Sequence, residues 1–387
     1  MNTLVQPSAE DARSPRELGI RFTGSGSEYF RIWIVNLLLI VVTLGLYIPF
    51  ARARRIRYFY ANTLVDGQAL AFHGNPWRMF RGFLLLLVLA GAYSGAGQIS
   101  PAAAGVAFVL LCVIWPALWR SALRFRLGNT SWRGLRFAFR GDLTGAYKAV
   151  LPVYLTVLPL VLMPLLVGKH RPEDMPGWVG ALYLVLSMAW LLFWPWGLAL
   201  IKRYQHRGYT LGHERADIDL STGSMYGLVF KGFGMCLLIG IVAGVLVAGI
   251  AAAAIHGGPE SAPGRAALTF APLFAAYLLA FLIVGCWGTS RLQNMVWSGT
   301  HSQHLRFSSV LRARSYMGLC LKNAILTVLT VGLYRPFAVI SATRMRVEAV
   351  GVDLSGSYEY FMADTEASYQ DATGDASGDF FGIDLGL

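Results

Sequence analysis

The residues best placed to do chemistry are few. Two asparagines, Asn36 and Asn323, and two threonines, Thr43 and Thr330, interrupt apolar runs near opposite ends of the chain. A polar side chain inside hydrocarbon is costly unless bonded, so such groups either line a route for a solute or tie one helix to another. Four arginines, Arg57, Arg124, Arg203 and Arg344, each stand eight residues after a proline (Pro49, Pro116, Pro195 and Pro336), near Tyr47, Trp115, Trp194 and Tyr334. Guanidinium forks in register beside interfacial aromatics suit phospholipid headgroups, and they serve equally as anchors that hold loops on the cytoplasmic side.

Other chemistries lack their parts. His301 and His304 in HSQH, or His206 with His213 and Glu214, fall short of the ligand set that a zinc site requires. No HExxH, GxSxG or P-loop string occurs, and GSGS at 24–27 reads as a turn before a helix. Cys112, Cys236, Cys286 and Cys320 lie in or beside apolar runs without CxxC spacing, which sets aside disulfide and metal frameworks. The expectation is therefore no enzyme, no cofactor and no metal. No Asp or Glu falls within the apolar runs, which weighs against proton or sodium coupling, since carboxylates at membrane depth are the usual carriers of it.

The elements that must position these residues are membrane helices. Of 387 residues 55% are hydrophobic and only 14% charged, with mean hydropathy +0.51, too apolar for a soluble enzyme of this length. The first 30 residues show no short apolar core with a small-residue cleavage site, so the first apolar run is expected to be a permanent anchor. Runs long enough to span occur at 32–51, twice within 83–119 with a break near Gln98, Ser100 and Pro101, and at 149–168, 177–201, 232–255 and 266–290. An eighth, 323–334, is short. The segments 52–81, 120–148, 202–231 and 291–322 together hold 23 basic residues against 5 acids, which assigns them to the cytoplasm. The formal charge of +12 thus reflects topology and contact with an anionic inner leaflet, and a nucleic-acid partner is excluded because the basic residues sit between apolar runs.

Self-similarity organises the chain. Pro49 to Gly74 laid on Pro116 to Gly141 without a gap matches at the proline, Arg57/Arg124, Asn62/Asn129, Thr63/Thr130, Gly67/Gly134, Phe72/Phe139 and Gly74/Gly141. Asn36, Thr43, Gly45, Tyr47, Pro49 and Arg57 recur 287 positions later as Asn323, Thr330, Gly332, Tyr334, Pro336 and Arg344. Each unit reads as a helix leaving the bilayer, a basic turn or two, then a short β-hairpin beginning at Asn-Thr. RGYTLGHERADIDLSTG, WSGTHSQHLRFSS and GVDLSGSYEYF look like weaker hairpins, and RFTG like a lone strand. The expected fold is a membrane all-α bundle with small β additions: three helix pairs, two terminal helices and cytoplasmic β-hairpins joined edge to edge. The terminal segments 30–51 and 318–341 either bend back as re-entrant pieces near Gly45 and Gly332 or cross once. Residues 1–19 and the acidic 363–387 read as disordered tails around a membrane domain over 20–362.

The string TLGLYIPFARARRIRYFYANTLVDGQALAFHG, with its echo TVGLYRPFAVISATRMR, resembles the YjgN-like family of bacterial inner-membrane proteins, over roughly residues 20 to 362. The resemblance implies a multi-spanning protein of the cytoplasmic membrane and carries no activity with it. Two functional readings stand: transport through an uncoupled permeation pathway, with Asn36, Asn323, Thr43 and Thr330 on the path, or lipid binding on a basic inner-leaflet platform made by Arg57, Arg124, Arg203 and Arg344.

Overall fold

A computed structural model describes residues 16–167, 177–212, 214–257 and 262–355. Strands β1 (Arg16–Leu18) and β2 (Ile20–Phe22) lead into helices α1 (Gly26–Val42) and α2 (Ile48–Ala61). Strands β3 (Thr63–Val65) and β4 (Gln68–Phe72) precede α3 (Pro76–Ile99) and α4 (Pro101–Gly128), and β5 (Thr130–Trp132) and β6 (Leu135–Phe139) precede α5 (Leu143–Val167) and α6 (Gly177–Arg207). Next come β7 (Tyr209–Leu211), β8 (Glu214–Arg215), β9 (Asp217–Ile218), α7 (Thr222–Gly257) and α8 (Ala262–Ser298). The chain continues through β10 (Thr300–His301), β11 (Leu305–Ser309), α9 (Ala313–Leu329), α10 (Arg335–Val347) and β12 (Val350–Leu354). The protein is mostly helical, and among the described residues five helices are long and apolar enough to cross a membrane: α3, α4, α6, α7 and α8.

The helices pack mainly against their sequence neighbours, α1 on α2, α2 on α3 and so on to α9 on α10, and α10 then packs against α1. That last contact closes a ring of ten helices. The strands close in the same way. One sheet runs β2-β3-β4-β5-β6-β7-β8 and the other β1-β12-β11-β10-β9, every pairing antiparallel. Only Gly19 separates β1 from β2 and only Ala216 separates β8 from β9, so the two sheets continue into each other at both places. One apolar cluster draws on both sheets, with Leu18, Trp132, Leu135, Leu211, Val352 and Leu354 buried at its centre. Side chains fill the strand ring, as they do in small closed barrels.

Local chemistry explains the transitions. At the ends of α2 and α4, Asn62 and Asn129 return their amide N–H to Tyr58 O and Phe125 O (2.8 and 2.7 Å), while Thr63 and Thr130 donate to Phe59 O and Arg126 O (2.8 and 2.7 Å). Carbonyls that the helix end leaves open are thereby satisfied, and the chain departs as a strand. The turns Asp66-Gly67 and Arg133-Gly134 have positive φ at both residues, the mirror-image turn whose twist suits a two-residue hairpin. Arg133 reaches across to Asp66 at 2.9 Å, linking adjacent hairpin tips.

Of the hairpin expected over GVDLSGSYEYF, the described residues hold the first arm, β12, whose partners are β11 and the distant β1, with Arg16 opposite Leu354; the remainder lies outside the described residues. β1 also begins inside the stretch 1–19 read as a tail; residues 1–15 and the acidic 363–387 lie outside the described residues.

The terminal runs are each split. After α1 the chain turns through Leu44 and Gly45 (φ 49° and 92°), and after α9 through Val331 and Gly332 (φ 50° and 89°). Left-handed backbone is easy for glycine and strained for a β-branched valine. β2 pairs with β3, and β11 with β12, so each turn sends the chain back to the side it came from. In α4 and α6 the corresponding prolines, Pro116 and Pro195, sit inside a continuous helix, whereas Pro49 and Pro336 open the returning arm. Thr43 Oγ1 donates to Leu39 O (2.7 Å) and accepts from Tyr47 N (3.0 Å); Thr330 repeats this with Leu326 O and Tyr334 N (2.7 and 2.9 Å). Replacing Thr330 by Val keeps the shape and strands the Tyr334 N–H. Thr330→Val and Thr43→Val should each destabilise the protein by about 1–3 kcal/mol in detergent denaturation, and an unchanged midpoint would show that the hydroxyls are dispensable.

Candidate functional site

The even-numbered helices end where the strands begin, and five side chains near those ends perform one task. Arg57 on α2 donates to Gly74 O (3.0 Å), Arg120 on α4 to Gly141 O (2.7 Å) and Arg203 on α6 to Leu220 O (3.0 Å). Asn294 on α8 donates to Leu311 O (3.0 Å), and Arg344 on α10 to Gly24 O (2.9 Å). Each acceptor lies two residues ahead of the next odd-numbered helix, and the last bond joins the end of the ring to its start. Arg203 also reaches Thr222 Oγ1 at 2.9 Å.

Apolar clusters pack beneath four of these junctions. Phe22 sits with Tyr29, Tyr58 and Ile340; Phe72 with Ala53, Met79 and Phe125; Phe139 with Trp119, Leu123 and Val150; Ile218 with Leu220, Met225 and Val296. The fifth junction is polar. There Gln293 donates to Arg346 O (2.8 Å) and accepts from Arg346 Nε (2.9 Å), and Asn294 Oδ1 accepts from Ser309 Oγ and Leu311 N (3.0 and 2.9 Å).

At this neck of the helix ring, cations converge. Lys202 on α6 lies within electrostatic reach of both Arg126 on α4 and Arg346 on α10. Arg126 is in turn within reach of Tyr209, and Tyr209 of Tyr60 on α2. Lys202 Nζ donates to Gln205 Oε1 at 3.2 Å. Lys202 is half-buried, while Arg346 is exposed. Away from the neck, the helices are apolar on most sides and only lightly buried.

The residues singled out from sequence have definite places. Asn36 and Asn323 are both 7% exposed and bridge the arms of the terminal turns. Arg54 Nη1 donates to Asn36 Oδ1 (3.4 Å), and Asn323 Nδ2 donates to Ala338 O (3.2 Å) and Ser341 Oγ (3.1 Å). Thr43 and Thr330 are occupied at the turns. Of the four register arginines, Arg57, Arg203 and Arg344 bond junction carbonyls, while Arg124 is exposed and Arg120, one helical turn earlier, takes its task. Sequence reasoning passed over Arg120, Arg126, Lys202, Gln293 and Arg346. The available signal was helical spacing: Lys202 and Gln293 stand one residue before the junction donor, and Arg346 two after it, positions that share a face.

The histidines are otherwise engaged. His304 Nδ1 meets the Glu214 carboxylate in a short hydrogen bond, and His206 Nδ1 meets Thr300 Oγ1 at 2.9 Å. No group of three or more His, Cys, Asp or Glu side chains suited to a metal ion occurs among the described residues. An open depression of about 470 Å³ beside β9 and β10 is lined by Asp219, Ser221, Ser224, Ser298, His301 and Arg306, with His301 Nδ1 3.8 Å from the exposed Asp219 carboxylate.

A family profile described as "bacterial protein of unknown function (DUF898)" matches residues 17–380. The chain is 32% identical over 143 residues to a protein named inner membrane protein YjgN from Salmonella typhimurium (strain LT2), covering 37% of this chain and 35% of that one. It is 31% identical over 139 residues to the protein of the same name from Escherichia coli (strain K12), 35% of each chain. The match thus spans about a third of the length of these curated relatives. No solved structure matches the chain.

Two outcomes follow from this geometry. Arg57→Gln, Arg120→Gln, Arg203→Gln and Arg344→Gln should each cost about 1.5–3 kcal/mol, the range for a charged donor lost from a bonded acceptor. Arg124→Gln should stay within about 0.5 kcal/mol; equal losses at Arg120 and Arg124 in a denaturation series would contradict the assignment. Burial alone would raise the Glu214 carboxyl, but hydrogen bonds from His304 and Ser302 more than offset it and hold it below its ordinary value. That stabilisation is present above the unfolded pKa of about 4.3 and is lost as pH falls through the lower folded value. Glu214→Gln should therefore flatten the acid limb of a stability profile, and an unaltered limb would refute the role.

Proposed function

The chain belongs to the family described as bacterial protein of unknown function (DUF898), and from that premise we propose that it is a multi-pass inner-membrane protein that offers amphipathic molecules an uncoupled route along its helix ring. One observation carries this reading: helices apolar on most sides form a ring in which each packs chiefly on its two neighbours, so apolar faces point both outward to lipid and inward to the axis. A water-filled pore would need polar inward faces; an apolar interior suits acyl chains. The absence of Asp and Glu from these spans supports a route without ion coupling. No covalent step belongs to the proposed activity.

In this reading the strand ring lies on the cytoplasmic side, where the excess of Lys and Arg favours it. Three helix pairs, α3–α4, α5–α6 and α7–α8, cross the bilayer. The terminal pairs re-enter: arms of 17 and 14 residues, and of 17 and 13, reach about 19–26 Å at about 1.5 Å per residue, short of a hydrocarbon core of about 30 Å. Their tips, Leu44 and Val331, are each 93% exposed and apolar, which favours a place in lipid, and the threonine bonds satisfy the turn backbone there. The recurring junction supports descent of the five units from one copied module.

The second reading, a static lipid-binding scaffold, draws on the same basic neck. Reconstitution separates them. Vesicles containing the full-length protein and fluorescent phosphatidylglycerol should lose more of their total signal to dithionite than the one-half expected of a sealed bilayer, with no dependence on a proton or sodium gradient. Lipid that copurifies while exchange matches protein-free vesicles would leave the scaffold and remove the route; gradient-dependent exchange would overturn the uncoupled character.

A further inference from the structure

We propose that the helix ring has a lateral window in its half away from the strands, between α3 and α8, through which lipid acyl chains reach the ring's axis. The inference deepens the preceding reading by naming where its substrate enters, and it rests on that reading for the orientation in the bilayer and for the route itself. The window follows from unequal helix lengths. The hairpins α1–α2 and α9–α10 are neighbours in the ring because α1 packs on α10, with the Phe30 and Phe337 ring centroids 6.0 Å apart. Their arms of 13 to 17 residues end at turns, whereas α3 has 24 residues and rises about 36 Å at about 1.5 Å per residue. Beyond those turns the wall consists, among the described helices, of α3 to α8 alone, each packed on the next in sequence. There the ring has become an arc, and its two ends are α3 and α8.

Burial indicates that the ends of the arc do not meet. Within the most apolar 18-residue stretch of α3 and of α8, 6% of the residues are buried, against 28%, 18% and 17% in α4, α6 and α7. The helices that border the terminal hairpins are the barest, which two helices closing on each other would not be. On α3 the bare face can be named. Phe50, the third residue of α2, meets Trp77 and Phe80 near the start of α3, with centroids 5.0 and 5.7 Å apart. At 3.6 residues per turn Leu84, Val88, Gly91 and Gly95 continue the face of Trp77 and Phe80, on the side opposite Tyr93, which meets Phe108 of α4. All four are exposed, and a Cβ on Gly91 or Gly95 would meet no atom within 4 Å. The face that α2 covers near the strands is thus bare further along α3. The hairpins are bare at their tips too, since Leu44 and Val331 are each 93% exposed. Residues 83–99 carry no charge, and lipid tails are as apolar as the leucines that border the gap, so acyl chains fill it without uncovering a polar group. The gap is continuous with the lipid-facing outside of the ring and with its apolar inner faces. Gly91 and Gly95 also have the spacing at which two membrane helices pack closely, which makes a second copy of α3 the rival occupant.

Photo-crosslinking separates the two. Full-length protein carrying Gly91→p-benzoylphenylalanine or Gly95→p-benzoylphenylalanine is reconstituted in phosphatidylcholine nanodiscs and irradiated, and its mass and linked peptides are measured. The window predicts a single-lipid adduct at both positions, while Tyr93→p-benzoylphenylalanine should link to the α4 peptide that holds Phe108. A link from either glycine position to α8 means a closed wall, and a covalent dimer means a second copy in place of lipid; each overturns the proposal. Entry is tested in the vesicle assay. Gly91→Trp/Gly95→Trp should slow phosphatidylglycerol exchange several-fold with the melting temperature unchanged, because the added rings occupy open space, and Gly95→Trp alone should slow it less. Undiminished exchange in the double variant overturns the window as the entrance. Lipid adducts without exchange in the wild type would sink the route and leave the window standing; exchange with α3 linked to α8 would do the reverse.

Discussion

A carbonyl placed between the end of a strand and the start of a helix has no partner in either, and this protein meets that need five times in one way. The donor comes from the helix before, reaching across the intervening hairpin to the residue two ahead of the next helix. Each bond therefore fixes where a hairpin sits relative to the two helices it joins. Repeated around the chain, the constraint bends a linear string of helix pairs into a circle. Arg344 to Gly24 is the bond that makes the circle close, spanning nearly the whole described chain. Strand closure follows from it, since β12 and β1 arrive side by side only when α10 lies against α1. Only the short end strands β1, β9, β2 and β8 are left as edges, which matters for short hairpins that would be marginal alone.

Much of the local structure could be read from residues. Asn-Thr marks the change from helix to strand because both side chains return to the last helical carbonyls, and the Asp-Gly and Arg-Gly pairs mark tight turns because the backbone there is left-handed. Gly45 and Gly332 allow the terminal turns for the same reason. Non-local features were not legible. Nothing near Val350–Leu354 announces that its partner lies at Arg16–Leu18, because pairing across the chain is decided by the ring and not by local sequence. Counting residues grouped Arg124 with Arg57, Arg203 and Arg344 as headgroup candidates, but the helix turn that faces Gly141 carries Arg120. The cationic neck escaped notice because its members lie on three helices, and only folding brings them within reach. Asn36 and Asn323 had two readings in sequence; the structure gives their amides partners in the opposing arm.

The strand ring and the neck divide the axis between them. Apolar side chains from both sheets fill the ring, while Arg126, Lys202 and Arg346 stand on the even-numbered helices that end at it. The helices beyond are smooth and apolar.

The closing strand pair, β1 with β12, has a consequence for biosynthesis. Its two strands are the first and the last in the described chain, so a ribosome delivering the protein to an insertase holds an open arc until residue 354 has emerged. Four junctions form in order of translation, each between segments made shortly before, whereas the fifth waits for nearly the entire polypeptide. A stalled or prematurely released product would carry β1 without its partner, and such an edge is what a quality-control protease or a neighbouring nascent chain would meet first.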